Sequence, residues 1–261
     1  MEQAAIIITG ASRGLGAAAA RAAASLGGGV VLAARSEQLL DQVAAGIQAA
    51  GGKALAVPTD ITREADCREV VRAAREHFGG IQALVNNGGV IEPIAPVAEA
   101  SVQEWEHCLQ VNLLGAVRLI QLALPHLRPR AGRIINISSG ASVNAIGGWG
   151  AYSASKAALN HLTRVLASEE PQVTSLALRP GIVDTRMQAA IRAQGRGRMA
   201  ESNYERLIGL YEQGRLLPPE LPGRAIACLA LHTPSEWSGE FIQWDDPKVQ
   251  ALVDGCFPSG E

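Results

Sequence analysis

Thr9-Gly10-Ala11-Ser12-Arg13-Gly14-Leu15-Gly16 decides the fold. The apolar run Ala4-Ala5-Ile6-Ile7-Ile8 precedes it and an alanine-rich stretch follows. The order is therefore strand, glycine turn, helix. Glycines spaced G-x-x-x-G-x-G let a backbone turn tightly, approach a pyrophosphate and pack helix on strand. The new helix then offers free N–H groups and a positive dipole end to the phosphate. Gly10, Ser12, Arg13, Gly14, Leu15 and Gly16 are the candidate phosphate-binding residues.

Outward from this turn, short β-branched runs alternate with longer helical ones. Strands are expected at 5–9, 30–34, 54–58, 83–86, 133–138, 173–178 and 240–243, and helices at 15–26, 37–50, 63–78, 102–127, 151–168 and 219–231. Most strand runs are continuously apolar, the pattern of strands covered on both faces. The alternation predicts an α/β fold, a Rossmann-type doubly wound parallel sheet of about seven strands with helices on both faces. No repeat, linker or composition shift divides the 261 residues, so one dinucleotide-binding domain over 1–261 is expected. Residues 182–217 interrupt the alternation and read as a lid over the substrate.

Hydrophobic residues make up 48% and charged residues 18%, below the usual ~25% charged, which excludes disorder as the main state. The net charge of −2 carries no electrostatic footprint for nucleic acid or an anionic membrane. Four scattered cysteines (Cys67, Cys108, Cys228, Cys256) and Met1-Glu2-Gln3 running into a strand pattern point to a reduced, cytoplasmic setting without a signal peptide. The five histidines show no metal-ligand spacing, and no metal site is expected.

The second strand ends Val30-Val31-Leu32-Ala33-Ala34-Arg35. A site for NAD usually places a carboxylate here, on the ribose 2′-hydroxyl. Arg35, joined by Arg13 of the glycine loop, suits a 2′-phosphate instead, so NADP(H) is the expected cofactor. Asp60, beside Ile61 at the end of the third strand, either accepts from an adenine amino group or caps the next helix, with Thr62 as the rival cap. Asn86-Asn87-Gly88-Gly89 ends the fourth strand. Its amides can tie strands together and its glycines admit a ribose.

Tyr152 and Lys156 stand at i and i+4 on one helix face. A lysine beside a phenol favours the phenolate, which tunes a proton donor toward neutral pH. Ser139 closes a strand 13 residues upstream, and Asn112 sits within an apolar helical run, where an amide needs a partner. Trp149 falls just before the tyrosine, at the expected substrate mouth.

These ordered motifs together resemble the short-chain dehydrogenase/reductase family: TGASRGLG at 9–16, Asp60, NNGG at 86–89, Asn112, Ser139, YSASK at 152–156, and Arg179-Pro180-Gly181 followed by Thr185. The resemblance implies a tetrad of Asn112, Ser139, Tyr152 and Lys156. In it Tyr152 is the acid/base and Ser139 holds the substrate oxygen. Lys156 holds the nicotinamide ribose and depresses the tyrosine, and Asn112 anchors a water of the proton relay. The resemblance also places Asn87, Gly88, Pro180, Gly181, Val183 and Thr185 at the cofactor. NNGG departs from the usual NNAG. The ending Ser238 to Asp246 is similar to the sepiapterin reductase and benzil reductase-like branch, in which an aspartate near the end of sepiapterin reductases binds the pterin. Counting places Asp246 there; alternatively, Asp245 and Asp246 are surface acids before Pro247.

The expected activity is NADPH-dependent reduction of a ketone or vicinal dicarbonyl. The alternatives are an NAD-dependent alcohol dehydrogenase and a non-catalytic NADP-sensing scaffold. The expected partners are a small carbonyl substrate and a second copy of the chain as a homodimer, with a tetramer as the other assembly. Specificity is expected in residues 90–97, 140–151 and 182–217.

Overall fold

The computed structural model describes residues 5–258. In chain order the elements are β1 (Ala5–Thr9), α1 (Gly14–Ser25), β2 (Gly29–Ala34), α2 (Glu37–Ala49), β3 (Lys53–Pro58), α3 (Glu64–Phe78) and β4 (Ile81–Asn86). There follow α4 (Val102–Leu109), α5 (Gly115–Leu127), β5 (Arg133–Ile137), α6 (Gly150–Glu169) and β6 (Thr174–Arg179). The chain ends with α7 (Arg186–Gln194), α8 (Glu201–Glu212), α9 (Glu220–His232), β7 (Phe241–Gln243) and α10 (Pro247–Cys256).

The seven strands form one parallel sheet in the order β3-β2-β1-β4-β5-β6-β7. Period-two alternation splits its core in two. Ile6, Ile8, Leu32 and Val85 face α1, α2 and α9, while Ile7, Val31, Leu84 and Ile134 face α3, α5 and α6. The chain winds outward from β1 to β3, then crosses back to β4. Ligands of such sheets bind in the crevice at the strand ends where the winding direction changes.

The structure corrects the bounds of several expected elements and fills in the 182–217 segment. The helix expected at 102–127 is two helices joined by a π-helical turn, Gln110–Leu114. The buried Asn112 occupies that turn. Its carboxamide bonds the Val90 backbone (Val90 N–H to Oδ1 2.8 Å; Nδ2 to Val90 O 2.9 Å). The whole run Val102–Arg130 is long and apolar enough to cross a membrane, yet here Leu119, Ile120, Ala123 and Leu127 bury its apolar stripe in the core. Residues 182–217 hold α7 and α8, closed at their base by a bridge between Val183 and Leu217. The last helix, α10, was not expected; Asp246 caps it, accepting from the Lys248 N–H at 3.0 Å. The strand expected at 173–178 runs one residue later.

A buried polar chain crosses the sheet toward α6. Asn86 Nδ2 donates to Asn136 Oδ1 and Asn136 Nδ2 donates to Thr163 Oγ1, each at 2.9 Å. Thr163 lies on α6, so these bonds tie the end of β4 through β5 to the helix that carries Tyr152 and Lys156.

Candidate active site

A cavity of about 1010 Å³ opens at the carboxyl edge of the sheet. It brings together Gly10, Ser12, Arg13, Gly14, Leu15, Gly16, Arg35, Asp60, Ile61, Asn87 and Gly88 at one end. Ser139, Trp149, Tyr152, Lys156, Pro180, Gly181 and Val183 line the other, and Thr185 of the same wall packs against Gly14 of the glycine loop.

The glycine loop is held by the fourth strand. Asn87 Nδ2 donates to Thr9 O at 2.8 Å, and the Asn87 and Gly88 N–H groups donate to Thr9 Oγ1 at 2.9 and 2.8 Å. A Cβ on Gly16 would stand 2.6 Å from Asn87 Nδ2, so only glycine lets the start of α1 come this close. Arg13, the N-cap residue of α1, caps no N–H with its side chain, which leaves the helix start open to a phosphate. Among the described residues neither Arg13 nor Arg35 has an ion pair.

Asp60 lines the cavity, and the expectation that Asp60 or Thr62 caps the next helix is corrected: Arg63 holds the N-cap position of α3 and no side chain caps it. The Asp60 Oδ1 instead accepts from Thr62 N–H at 2.9 Å and Thr62 Oγ1 at 2.8 Å, closing the turn ahead of the helix. Burial pushes its carboxyl up, but the two Thr62 bonds and the nearby Arg35 charge outweigh this and hold it below the ordinary value. The cradle, the open helix start and the two free guanidinium groups fit a nicotinamide dinucleotide.

At the other end α6 carries Tyr152, 6% exposed, and Lys156, 4% exposed. Lys156 Nζ donates to Ile137 O at 2.7 Å and lies 5.8 Å from the Tyr152 ring centre. The Trp149 ring meets the Tyr152 ring edge-on at 5.9 Å. Burial raises the Tyr152 phenol above its usual value, and the Ser139 hydroxyl opposes that rise. Burial pushes Lys156 down to about 8. In the free protein desolvation is the largest influence on both groups, and the lysine gives one donor to the Ile137 carbonyl.

Asn112 stands behind the wall rather than on it. Its Nδ2 also lies 3.1 Å from Ser155 Oγ, and Ser155 Oγ donates to Tyr152 O at 2.7 Å. A Cβ on Gly89 would stand 3.1 Å from Asn112 Oδ1 and 3.6 Å from Lys156 Nζ, so the amide and the ammonium converge on that glycine. Asp246 is corrected as a substrate residue. It does not line the cavity, and its carboxylate serves the α10 cap.

Sequence reasoning missed His107, and it named the segments that hold Asn144, Gln188, Asn203 and Arg206 without singling out these side chains, all of which line the cavity together with Arg179 of the quoted motif. The helical spacing of 203, 206 and 207 was the available signal, but that spacing does not say which face turns inward.

The family model for short chain dehydrogenase matches residues 4–196. This chain belongs to that family. It is 34% identical to the benzil reductase ((S)-benzoin forming) of Saccharomyces cerevisiae, over 94% of this chain and 97% of that one. A crystal structure of a short-chain dehydrogenase/reductase from the same yeast superposes with a TM-score of 0.91 at 36% identity, covering 95% and 99% of the two chains. An alcohol dehydrogenase from the archaeon Thermococcus sibiricus, complexed with 5-hydroxy-NADP, gives a TM-score of 0.77 at 29% identity, covering 92% and 95%. As a member of this family the chain is an oxidoreductase that uses a nicotinamide cofactor, NAD or NADP.

Proposed function

We propose that the protein is an NADPH-dependent carbonyl reductase that converts a ketone or vicinal dicarbonyl to a secondary alcohol. The observation that carries this is the buried Tyr152 and Lys156, with the half-buried Ser139, on the wall of a cavity whose opposite end presents Arg13 and Arg35, neither of them ion-paired among the described residues. The likeness to the yeast benzil reductase supports the carbonyl chemistry. The NADP analogue bound by the archaeal relative supports the cofactor.

Arg13 and Arg35 would grip the 2′-phosphate, the α1 start the pyrophosphate, and Lys156 a ribose hydroxyl. The bound nicotinamide supplies the hydride. Ser139 and Tyr152 donate hydrogen bonds to the substrate oxygen, and Tyr152 releases its proton to that oxygen as negative charge builds there. A raised phenol pKa keeps that proton in place at neutral pH. The apolar wall of Ile91, Trp149, Ile191 and Leu207 excludes water around the transfer, and the 182–217 segment acts as its lid.

The test follows oxidation of NADPH and of NADH by absorbance with benzil and a panel of diketones. Turnover preferring NADPH is the expected result. A preference for NADH and alcohol oxidation would replace this reading with the dehydrogenase one. Cofactor binding with no turnover on any carbonyl or alcohol would replace it with a sensor.

A further inference from the structure

The cavity wall is charged in one sense. Arg13, Arg35, Lys156, Arg179, Arg186 and Arg206 line it against a single carboxylate, Asp60, in a chain whose net charge is −2. Walls of one sign with low-dielectric surroundings concentrate an oppositely charged ligand. The cofactor's phosphates account for the cations of the glycine-loop end. They do not account for Arg206, which α8 carries within the 182–217 segment.

Arg206 shares one helix face with Asn203 and Leu207, and all three line the cavity. Two arginines of the segment lie over aromatic rings: Arg192 is 3.8 Å from the Tyr211 ring centre and Arg196 5.8 Å from that of Tyr204. Arg206 is exposed at the cavity wall and, among the described residues, has no ion pair, hydrogen bond or aromatic partner. Gln188 of α7 lines the same cavity. Among the described residues its carboxamide makes no hydrogen bond, and its polar atoms stay open to the cavity rather than sealed in the core. The acids of the segment, Asp184, Glu201, Glu205 and Glu212, are absent from the wall.

We propose that Arg206, with Gln188 and Asn203, selects a carbonyl substrate that carries a carboxylate. The substrate class is then the oxo acids. A guanidinium matches a carboxylate with two parallel donors, and the two carboxamides supply further donors. The reacting carbonyl carbon gains a hydride and its oxygen gains the Tyr152 proton, giving a hydroxy acid and oxidised cofactor, while the carboxylate is unchanged. This rests on the carbonyl-reductase reading above.

Benzoylformate and its methyl ester test it. They share one aryl ketone and differ by one charge, and the ester's ketone is intrinsically the more electrophilic. Wild-type enzyme is expected to prefer the acid by about tenfold in kcat/KM, the order of one charge-assisted hydrogen bond. Added salt should reduce that preference. Arg206→Ala should erase it through KM, and Arg206→Lys should restore part of it. Ester kinetics and the KM for NADPH should hold within about twofold in both variants if only a charge contact is lost; this also shows that the segment still folds. The proposal is overturned if wild type reduces the ester as well as the acid, or if Arg206→Ala lowers both alike. Reduction of benzil with neither benzoylformate compound turned over would overturn this inference alone. Failure on all three carbonyls would overturn the reductase reading with it.

Discussion

Tyr152 shows how burial and chemistry are coupled. A phenol ionises at about 10 in water. Inside this wall it holds its proton still more firmly, which suits a donor acting at neutral pH. Tyr152→Phe removes that proton and no charge, so kcat should fall by about a thousandfold. Cofactor affinity, read by quenching of tryptophan fluorescence, should stay within about twofold; comparable turnover by the variant would refute the assigned donor. Lys156 is the group that titrates in the working range. Burial sets it at about 8, so the ammonium prevails below that pH and is lost above it. The kcat/KM for NADPH should therefore decline as pH rises through about 8. Lys156→Arg, whose cation persists to about 12 or beyond, should lack that alkaline limb. An identical limb in both proteins would assign it to another group. For the free protein the sign is opposite. A lysine at about 8 when folded and about 10.4 when unfolded costs stability below pH 8, and that cost is relieved as pH climbs between the two values.

At the scale of elements, two junctions control the site. The first joins the glycine loop to the end of β2, where Arg13 and Arg35 reach the cavity. Replacing Arg13 by Ala and Arg35 by Asp together should move the NADPH/NADH ratio of kcat/KM toward NADH by about a hundredfold, the worth of two charge-assisted contacts. An unchanged ratio would place the 2′-phosphate elsewhere. The second joins the Trp149 turn to the 182–217 segment. Gly148 has φ +87°, and a Cβ there would stand 2.5 Å from Arg198 O. Gly148→Ala must strain the turn or push the segment away, at a cost of about 1–3 kcal/mol. The expected result is a raised KM for the carbonyl substrate with little change in that for NADPH. Equal effects on both would mean that the turn does not act through the substrate end. The cap of α10 gives the contrasting case. Asp246→Ala should lower stability by about 1 kcal/mol in urea unfolding and leave kcat/KM unchanged, because among the described residues the carboxylate serves only the Lys248 N–H. A selective rise in KM would restore it to the substrate site.

Across the whole molecule, sheet order and a buried polar chain set where chemistry happens. The winding reverses between β1 and β4, which opens the crevice there. Asn136, 0% exposed, then couples β4 to α6 through Asn86 and Thr163. Asn136→Ala leaves both partners buried without it. The expected loss is about 2–4 kcal/mol of unfolding free energy, together with a lower kcat as α6 loses its tether. A neutral substitution would show that packing alone seats the helix.

Local chemistry made much of this legible in the residues alone. Glycine spacing, apolar strand runs and the Tyr152–Lys156 helical interval are short-range rules, so the doubly wound sheet, the phosphate turn and the Tyr152–Lys156 pair could be read before any coordinate. Three matters were decided only by tertiary structure. The π turn at Gln110–Leu114 arises where Asn112 must reach the Val90 backbone, a contact 22 residues away in sequence. The direction of the Tyr152 and Lys156 shifts follows from desolvation, which depends on everything packed around them. The inward face of α8, and with it Arg206, depends on how the 182–217 segment docks; helical periodicity names the faces but not the one that meets the cavity.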